Sequence, residues 1–276
     1  MAALLQTGVL SAAPAGAAVT GERWRLRLAD GREVFVKIRP DAPDGFFATE
    51  AAGLDWLGAA GGGPPLPAVL AYDTDLLVLP WLAEERPAAG AVDRLGRELA
   101  ALHSAGSPVF GAKHDGWIGA AELENGPLDS WPEFYAARRV LPYVRRLRDG
   151  GRMTAGEAAV FERLAARLRE IAGPAEPPAR IHGDLWSGNV LWSGGRGWLV
   201  DPAAHGGHRE TDLAMLTLFG DSWVPRLLSA YAEVSPLAEG WRQRKGLHQL
   251  HPLLVHAVLF DGGYLSAALA AAAPYV

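Results

Sequence analysis

The stretch HGDLWSGN, residues 182–189, decides the fold of this sequence, together with an aspartate that follows it. Asp184 and Asn189 are five residues apart, which is the spacing of the kinase catalytic loop H-x-D-L-x-x-x-N. Residues 190–200 then have the pattern of a hairpin, and Asp201 stands at its end. Because a hairpin brings its two ends together, we expect Asn189 and Asp201 to lie side by side.

These three polar residues suit phosphoryl transfer. The amide oxygen of Asn189 and the carboxylate of Asp201 are hard ligands of the kind that Mg²⁺ prefers. Such an ion bridges the phosphates of ATP, while Asp184 accepts the proton of the attacking hydroxyl or orients that hydroxyl. The alternative is that Asp184 and Asn189 only cap turns. That alternative accounts for either residue alone, but not for the ordered set of motif, hairpin and final aspartate.

A lysine on an early strand completes the pattern. Lys37 ends the run Val-Phe-Val-Lys, which is like the V-A-I-K strand that presents a lysine to the phosphates of ATP. Glu50, 13 residues later, falls on a predicted helix and is placed to hold Lys37 in an ion pair. The alternatives are an exposed edge-strand lysine and a solvated helix glutamate, since other acidic residues lie in this region.

The first third of the chain has the pattern of a small sheet with one helix. Alternating polar and apolar residues indicate strands, and an Asp-Gly pair at 30–31 indicates a hairpin turn. The predicted elements are strands at 23–28 and 33–38, a helix from a cap at Thr49 to the break at 61–65, a strand at 76–79 and a connector at 80–84.

The remainder of the chain has the helical spacing of apolar residues, except for a strand-and-loop region at 181–201. The predicted helices span 92–104, 131–147, 154–172, 212–218, 225–233 and 240–269. A β-rich front and a helical back predict an α+β chain in two lobes. We place the N-lobe at 1–79, a hinge at 80–85 and the C-lobe at 86–276.

The composition excludes several classes of function. The formal net charge is −5, so there is no basic surplus for a nucleic-acid backbone. The absence of cysteine excludes disulfides, thiolate zinc sites and a cysteine nucleophile, and it suits a reducing compartment. No apolar run reaches the roughly 20 residues of a membrane helix, and the N-terminus lacks the basic segment of a secretory signal. We therefore expect a cytoplasmic protein without membrane or nucleic-acid partners.

Two features of the sequence fit a phosphoryl-transfer site less well. The phosphate-covering loop is expected at residues 11–17, but this segment has one glycine and neither G-x-G-x-x-G nor a Walker A motif. The chain could instead hold a different kind of metal site, because it has five histidines that are candidate ligands: His205, His208, His248, His251 and His256. Since no H-E-x-x-H is present, we interpret these histidines as core or capping residues. A serine nucleophile has no G-x-S-x-G elbow to support it.

The segments around these residues resemble the fructosamine kinase (ketosamine 3-kinase) family. The resemblance is carried by IHGDLWSGN at 181–189, DPA at 201–203, GHRETDLAM at 207–215, ELAALH at 98–103, the lysine strand with the glutamate helix, and a middle segment at 110–135. It covers most of the chain from residue 30 to 264. The generic aminoglycoside and choline kinases share H-G-D and the asparagine, but usually not the longer endings.

The resemblance implies a two-lobed protein-kinase-like fold. It also implies ATP-dependent phosphorylation of the 3-hydroxyl group of a ketosamine, which is a sugar attached to an amine by glycation. The family roles that carry over are Asp184 as base, Asn189 and Asp201 as magnesium ligands, Lys37 as phosphate ligand and Glu50 as the partner of Lys37.

Further site residues are implied in the same way. The connector Pro80-Trp81-Leu82 is similar to the hinge that holds adenine through backbone groups. Trp186 and His205 are candidate contacts of the acceptor, and loop packing is the alternative for Trp186. Asp212 is expected to be structural, bonding the backbone of the catalytic loop.

The sequence departs from the family pattern at four places. Asp115-Gly116 stands where the family usually has Asp-Asn, Glu124 stands where glutamine is usual, and Ala204-His205 replaces an aromatic pair. The glycine-rich turn expected near the N-terminus is missing from residues 12–20. These differences leave the kinase core intact, but they leave the sugar specificity open.

Two other functions remain open from the sequence. One is a kinase of another hydroxyl compound, such as an aminoglycoside or an amino alcohol, and the other is a non-catalytic nucleotide-binding protein. The glycine-poor loop favours the latter, whereas the intact set of Lys37, Asp184, Asn189 and Asp201 argues against it. The leading expectation is a monomer that uses ATP and Mg²⁺ and binds a free or protein-bound ketosamine.

Overall fold

An antiparallel sheet forms the front of the molecule in the computed structural model, which describes residues 5–16, 20–260 and 262–276. Its five strands are β1 Val9–Pro14, β2 Glu22–Leu28, β3 Glu33–Ile38, β4 Ala71–Tyr72 and β5 Leu76–Pro80. Their order across the sheet is β1-β2-β3-β5-β4. The register of β2 and β3 places Arg23 directly opposite Lys37, so both side chains lie on one face of the sheet.

The two faces of the sheet are buried by different partners, because successive side chains of a strand point to opposite faces. On one face, Leu26 and Val34 belong to a core formed mostly by the sheet itself. On the other face, Leu77 packs against helix α1, Phe46–Gly58. Lys37 is the cross-strand partner of Leu77 and therefore lies on the face that α1 covers.

The three predicted strands and the helix of this part are present, but the predicted helix cap is wrong, and part of the expected phosphate-covering loop is a strand. The expected phosphate-covering loop, residues 11–17, begins as strand β1, and Ala17 lies outside the described residues. All six residues of β1 are exposed, so the strand shows no alternation in the sequence. Thr49 does not cap α1; the cap is Gly45, and the Thr49 hydroxyl donates to its carbonyl at 2.7 Å from inside the first turn.

Helices dominate the rest of the chain. They are α2 Ala89–Ser104, α3 Trp131–Phe134, α4 Leu141–Asp149, α5 Ala155–Ile171, α6 Arg209–Leu216, α7 Val224–Val234, α8 Trp241–Leu259 and α9 Tyr264–Ala272, with 3₁₀ turns at Ser187–Asn189 and Ala273–Tyr275. The paired strands are β6 Gly116–Ile118 with β7 Ala121–Leu123, β8 Ala179–Ile181 with β11 His205–Gly207, and β9 Val190–Ser193 with β10 Arg196–Leu199. Within the described ranges, no helix has the length and apolar character needed to cross a membrane.

Two of the predicted helices are interrupted. The helix predicted at 131–147 contains a π-helical stretch, Tyr135–Val140, between α3 and α4. The buried Arg139 of this stretch donates to the Asn125 side chain at 2.6 Å. The segment predicted as one helix at 240–269 is divided into α8 and α9. Gly262 lies between them with a φ of 118°, a conformation that no helix contains.

The predicted catalytic hairpin, β9 and β10, rests on a buried cluster contributed by α2, α6 and α7. Leu95 of α2, Leu213 of α6 and Leu227 of α7 belong to this cluster and are almost completely buried. The connector from the sheet reaches the same hairpin, where the Glu85 N–H donates to the Trp192 carbonyl at 2.7 Å. These contacts fix the hairpin, and with it the residues at its two ends.

Candidate active site

The catalytic loop follows β8, and its shape depends on a glycine. Gly183 has a φ of 81°, and a Cβ atom there would collide with the carbonyl oxygen of Ala203. The N–H groups of His182 and Gly183 donate to the two carboxylate oxygens of Asp212 at 2.8 and 2.9 Å. These contacts turn the chain so that Asp184 lines the cleft. The expected structural role of Asp212 is confirmed.

Asp212 is itself held by His103 of α2, whose Nε2 lies 3.2 Å from its Oδ2. Burial raises the pKa of Asp212, but the contacts with His103 and His182 outweigh burial and lower it below its usual value. His103 Nδ1 in turn lies 2.9 Å from the Tyr231 hydroxyl of α7. The sequence matched His103 to the family pattern but assigned it no role, because its partner is 109 residues away in the chain.

Asn189 is oriented by the loop that carries Asp184. Its side-chain nitrogen donates to the Asp184 carbonyl at 2.8 Å and lies 3.2 Å from Asp184 Oδ2. The amide oxygen therefore remains for a different partner. The Val200 N–H donates to the Asn189 carbonyl at 3.1 Å where the hairpin closes. Asn189 and Asp201 consequently line the same cleft, in agreement with the hairpin argument.

Asp201 has an uncommon backbone conformation. Its φ is 56°, and Gln6 is the only other non-glycine residue with a positive φ in the described part of the chain. Two cations from the sheet hold its carboxylate: Lys37 Nζ lies 2.8 Å from Oδ1, and Arg23 Nη2 lies 3.3 Å from Oδ2. Burial raises the pKa of Asp201, but Lys37 and Arg23 outweigh burial and keep the pKa below its ordinary value.

Lys37 lies between two carboxylates. Its Nζ is 2.6 Å from Glu50 Oε1, and the side chains of Lys37 and Glu50 are only 12% and 13% exposed. Burial disfavours the charged lysine, but attraction to Asp201 and Glu50 outweighs burial and raises the pKa of Lys37. The structure therefore contradicts both alternatives, the exposed edge-strand lysine and the solvated helix glutamate.

Asp184 has the opposite pKa shift from Asp201. Burial raises the pKa of Asp184 to about 7; the charge of Asp201 adds to the shift, and the hydrogen bond from Asn189 opposes it. A carboxyl with a pKa near 7 is well matched to proton transfer at neutral pH. Carboxyl groups whose environments push their pKa values apart are typical of acid–base sites.

One wall of the cleft is aromatic. Trp186 is 38% exposed, and its ring covers Gly188 so closely that a Cβ atom there would collide with it. Phe219 meets Trp186 edge to face at a centroid distance of 5.7 Å, and His256 packs 5.5 Å from Phe219. His256 lines the cleft, and its Nδ1 donates to the Pro252 carbonyl at 2.6 Å, which leaves Nε2 as an acceptor. The sequence does not distinguish His256 from buried histidines, because its position depends on how α8 packs.

His205 is not where an acceptor contact would be. Its ring is buried against Phe134, at a centroid distance of 5.7 Å, and its Nδ1 donates to the Ala203 carbonyl at 2.8 Å. Burial lowers its pKa to about 3, so the ring is neutral. It faces a cavity behind α1 rather than the cleft that holds Asp184 and Trp186. This placement gives His205 a packing role.

The expected hinge residues lie next to the sheet, outside the cleft lined by Asp184. Pro80 is the last residue of β5. The Trp81 N–H donates to the Glu33 carbonyl at 3.1 Å, and the Arg25 guanidinium lies 4.7 Å from the Trp81 ring centroid. This N–H is therefore already bonded within the sheet.

The histidine alternative for a metal site is not supported by the geometry. His208, Glu210 and His248 do place ligand atoms within 4.8 Å of one another. However, Arg244 donates to both carboxylate oxygens of Glu210 and already neutralises them. His208 caps α6 by accepting a hydrogen bond from the Glu210 N–H at 3.2 Å, in agreement with the capping interpretation.

Two of the departures from the family pattern lie against α1. A Cβ atom on Gly116 would be 2.8 Å from Thr49 Cγ2, and a Cβ atom on Gly53 of α1 would be 3.2 Å from the Ala204 side chain. Small residues at positions 116 and 204 therefore let α1 lie close to the catalytic segments. The position of α1, the helix that carries Glu50, therefore depends on the small residues at these two positions.

A family model described as Fructosamine kinase matches residues 8–273 of the chain. The chain is 37% identical over 245 residues to the probable ketoamine kinase slr1563 of Synechocystis sp.. The matched region covers 86% of this chain and 81% of the relative. It is also similar to the crystal structure of a candidate fructosamine-3-kinase from Thermobifida fusca. That similarity has a TM-score of 0.93 at 49% identity and covers 99% of this chain and 95% of the other.

More distant structures share the fold. A macrolide 2′-phosphotransferase type I has a TM-score of 0.66 at 18% identity, covering 98% of this chain and 93% of the other. A thermostable mutant of the aminoglycoside phosphotransferase APH(4)-Ia, solved with AMP-PNP and hygromycin B, has a TM-score of 0.63 at 17% identity, covering 96% and 95%. The predicted two-lobed, protein-kinase-like fold is confirmed, and the chain belongs to the fructosamine kinase family.

Proposed function

We propose that this protein is an ATP-dependent kinase that phosphorylates the 3-hydroxyl group of a ketosamine. The observation that carries the proposal is the single cleft lined by Lys37, Glu50, Asp184, Asn189 and Asp201. The family membership, and the ketoamine kinase and fructosamine-3-kinase names of the relatives, support this substrate class.

In this proposal Lys37 binds the nucleotide phosphates, and Glu50 holds Lys37 in position. Asn189, through its amide oxygen, and Asp201 hold Mg²⁺, which offsets phosphate charge when it is bound. The donor set fits this ion, because both groups offer hard oxygens to the same cleft. The AMP-PNP complex of the distant relative supports ATP as the nucleotide.

The proposed role of Asp184 is to orient the acceptor hydroxyl and to take its proton. The hydroxyl oxygen bonds to the γ-phosphorus, the bond from that phosphorus to the oxygen of ADP breaks, and the proton passes to the carboxylate. The Asn189 amide occupies Oδ2 of Asp184, so Oδ1 is the oxygen that faces the hydroxyl.

Two further sets of contacts are proposed around this centre. Trp186 offers a flat face to the sugar or to its amine-bearing group, and the free Nε2 of His256 accepts a hydrogen bond from a sugar hydroxyl. Backbone groups of the connector Pro80-Trp81-Leu82 contact the adenine edge, except for the Trp81 N–H, which is bonded within the sheet.

We also propose that the enzyme is a cytoplasmic monomer that acts in deglycation. A chain without cysteine suits a reducing compartment. The proposed acceptor is a ketosamine on a free amine or on a protein side chain, since Trp186 lies at an exposed edge of the cleft.

A phosphoryl-transfer screen tests this function directly. The purified protein is given MgATP with a ribulosamine, a fructosamine, an aminoglycoside or choline, and ADP release is followed. We expect turnover with a ketosamine, and ³¹P NMR of the product is expected to place the phosphate on the 3-hydroxyl. Turnover of the aminoglycoside or choline alone would establish the other kinase class instead. Binding of MgATP without any transfer would favour a non-catalytic nucleotide-binding protein.

A further inference from the structure

Arg23 is a cleft residue to which neither the kinase motif nor the family resemblance assigns a role. It lies directly opposite Lys37 on the neighbouring strand, so both cations project from the same face of the sheet. Like charges in opposite positions repel each other. Both residues line the cleft that contains Asp184. Nearby anions offset this repulsion.

In this structure the anions are carboxylates. Asp201 contacts Lys37 at 2.8 Å and Arg23 at 3.3 Å, and Glu50 contacts Lys37 at 2.6 Å. Two positive and two negative side chains thus balance one another. The Arg23–Asp201 contact crosses from the sheet to the end of the catalytic hairpin.

This contact restricts the space for phosphates. The cleft has a volume of about 230 Å³, whereas ligand sites typically have roughly 300–1,000 Å³. Arg23 and Asp201 face each other across it. The Arg23–Asp201 contact thus occupies the part of the cleft between the sheet and the hairpin, beside the Lys37 ammonium group.

A Mg²⁺ ion on Asp201 would compete for the oxygens that now bind the two cations. Arg23 is displaced more easily than Lys37, because its contact is longer and its side chain is 35% exposed, against 12% for Lys37. The displaced guanidinium would remain beside the cleft, within reach of an anion bound there. The phosphates that arrive with the metal are such an anion, and arginine binds them with paired hydrogen bonds.

We propose that Arg23 binds the phosphates of the metal–nucleotide complex, exchanging its contact with Asp201 for them. The proposal deepens the kinase function described above and rests on it. It also accounts for a phosphate-covering segment, residues 11–17, with a single glycine. An arginine side chain from β2 supplies the donors that a glycine-rich loop supplies through its backbone N–H groups.

Calorimetric titration of Arg23→Gln, Arg23→Lys and Arg27→Gln with MgATP and with adenosine tests the proposal. Arg27 is the matched control, because it is an exposed arginine on the same face of β2. We expect Arg23→Gln to weaken MgATP binding about tenfold or more, the scale of a hydrogen bond to a charged group. Arg23→Lys should recover part of the loss, and Arg27→Gln should match the wild type. Adenosine affinity should stay unchanged throughout, because adenosine has no phosphate.

Three results would overturn the proposal. If Arg23→Gln binds MgATP as well as the wild type or better, Arg23 only competes with the metal for Asp201. If adenosine and MgATP lose affinity equally, the substitution acts on the structure rather than on the phosphates. If the wild type binds no MgATP, the kinase function is wrong and this inference falls with it. A wild type that binds MgATP but phosphorylates no ketosamine contradicts only the proposed acceptor.

Discussion

Asp184 and Asp201 lie in one cleft with pKa values shifted in opposite directions. Burial raises the pKa of Asp184 to about 7, whereas Lys37 and Arg23 outweigh burial at Asp201 and lower its pKa. The difference follows from the neighbours, since Asp201 faces two cations and Asp184 faces an amide and another carboxylate. The proposed proton acceptor and the proposed metal ligand thus differ in their chemistry although they are the same residue type.

The kinetic prediction for Asp184 follows from its proposed role as proton acceptor. We expect Asp184→Asn to lower kcat by at least about a hundredfold, the scale of a lost general base, without changing the affinity for MgATP. In the wild type, a metal ion beside Asp201 favours the ionised form of Asp184, so the acid limb of kcat/KM should lie below pH 7. Steady-state assays and a titration with MgATP measure both quantities.

The control for this prediction is Asp149→Asn, which removes the same charge from an exposed position at the end of α4. It should leave kcat unchanged. A kcat of Asp184→Asn within a few-fold of the wild type would contradict the assignment of Asp184 as base.

The same residue predicts a pH-dependent stability. A carboxyl whose pKa rises on folding, from 3.8 to about 7 for Asp184, binds its proton more tightly in the folded protein. Stability therefore falls as the pH rises from about 4 to about 7, and the loss is complete above pH 7. Without added metal, Asp184→Asn should unfold at a higher temperature than the wild type at pH 8, but not at pH 4.

Thermal unfolding measured by circular dichroism at both pH values checks this result. Each kcal/mol relieved should raise the midpoint by roughly 2–4 °C in a domain of this size. The same midpoint for variant and wild type at pH 8 would show that the Asp184 carboxylate is not penalised by burial.

At the scale of elements, the catalytic hairpin and the lysine strand were predictable because each contains its own structural signal. Residues 190–200 carry a turn between two short apolar runs, so Asn189 and Asp201 meet by local geometry. The Asp-Gly turn at 30–31 joins strands β2 and β3 in the same way, and Arg23 and Lys37, each seven residues from Asp30, lie opposite one another. Local pairing of this kind needs no knowledge of tertiary contacts.

The elements that the sequence did not predict depend on tertiary packing. Strand β1 has no alternation, because all of its residues are exposed. In the π-helical stretch Tyr135–Val140, the buried Arg139 bonds to Asn125, which lies outside the helix and 14 residues away in the chain. The position of His256 in the cleft, and of His205 outside it, depends on how distant segments pack. None of these features has a local signature.

The close packing of α1 against β6 predicts an effect of enlarging Gly116. Even a Cβ atom there comes within 2.8 Å of Thr49 Cγ2, and Glu50 is the next residue of the helix. We expect Gly116→Val to displace α1, to lengthen the contact between Glu50 and Lys37, and to lower kcat roughly 10–100-fold. Overpacking should also cost about 1–3 kcal/mol of stability. Steady-state kinetics and urea unfolding measure the two effects.

Gly156→Ala serves as the control, because Gly156 lies in α5 with open space around it. That substitution should keep kcat and stabilise the helix by about 0.5–1 kcal/mol. Wild-type kcat in Gly116→Val would show that the packing of α1 against β6 does not govern the position of Glu50.

At the scale of the whole molecule, a few ion pairs join the sheet to the helical part across the cleft. Lys37 belongs to β3, Glu50 to α1, and Asp201 follows β10, so one ammonium group ties three separate elements together. Arg23 of β2 adds a second contact to Asp201. The proposed catalytic groups therefore also contribute to joining the two lobes.

This double role predicts that Lys37→Met destabilises the protein more than the loss of one exposed ion pair would. The substitution leaves the carboxylates of Glu50 and Asp201 without the cation between them. We expect a loss of about 3 kcal/mol at pH 8, near the lower end for breaking a buried pair. The loss should shrink toward pH 4, because the carboxylates then take up protons. Urea unfolding at the two pH values measures it.

The double variant Lys37→Met, Glu50→Gln separates stability from chemistry. Neutralising Glu50 removes the unpaired charge, so the double variant should recover much of the stability lost at pH 8. It should not recover kcat, because no ammonium group reaches the nucleotide phosphates. If Lys37→Met is as stable as the wild type at pH 8, the ion pairs of Lys37 do not stabilise the folded protein. If the double variant regains activity, the phosphates do not depend on Lys37.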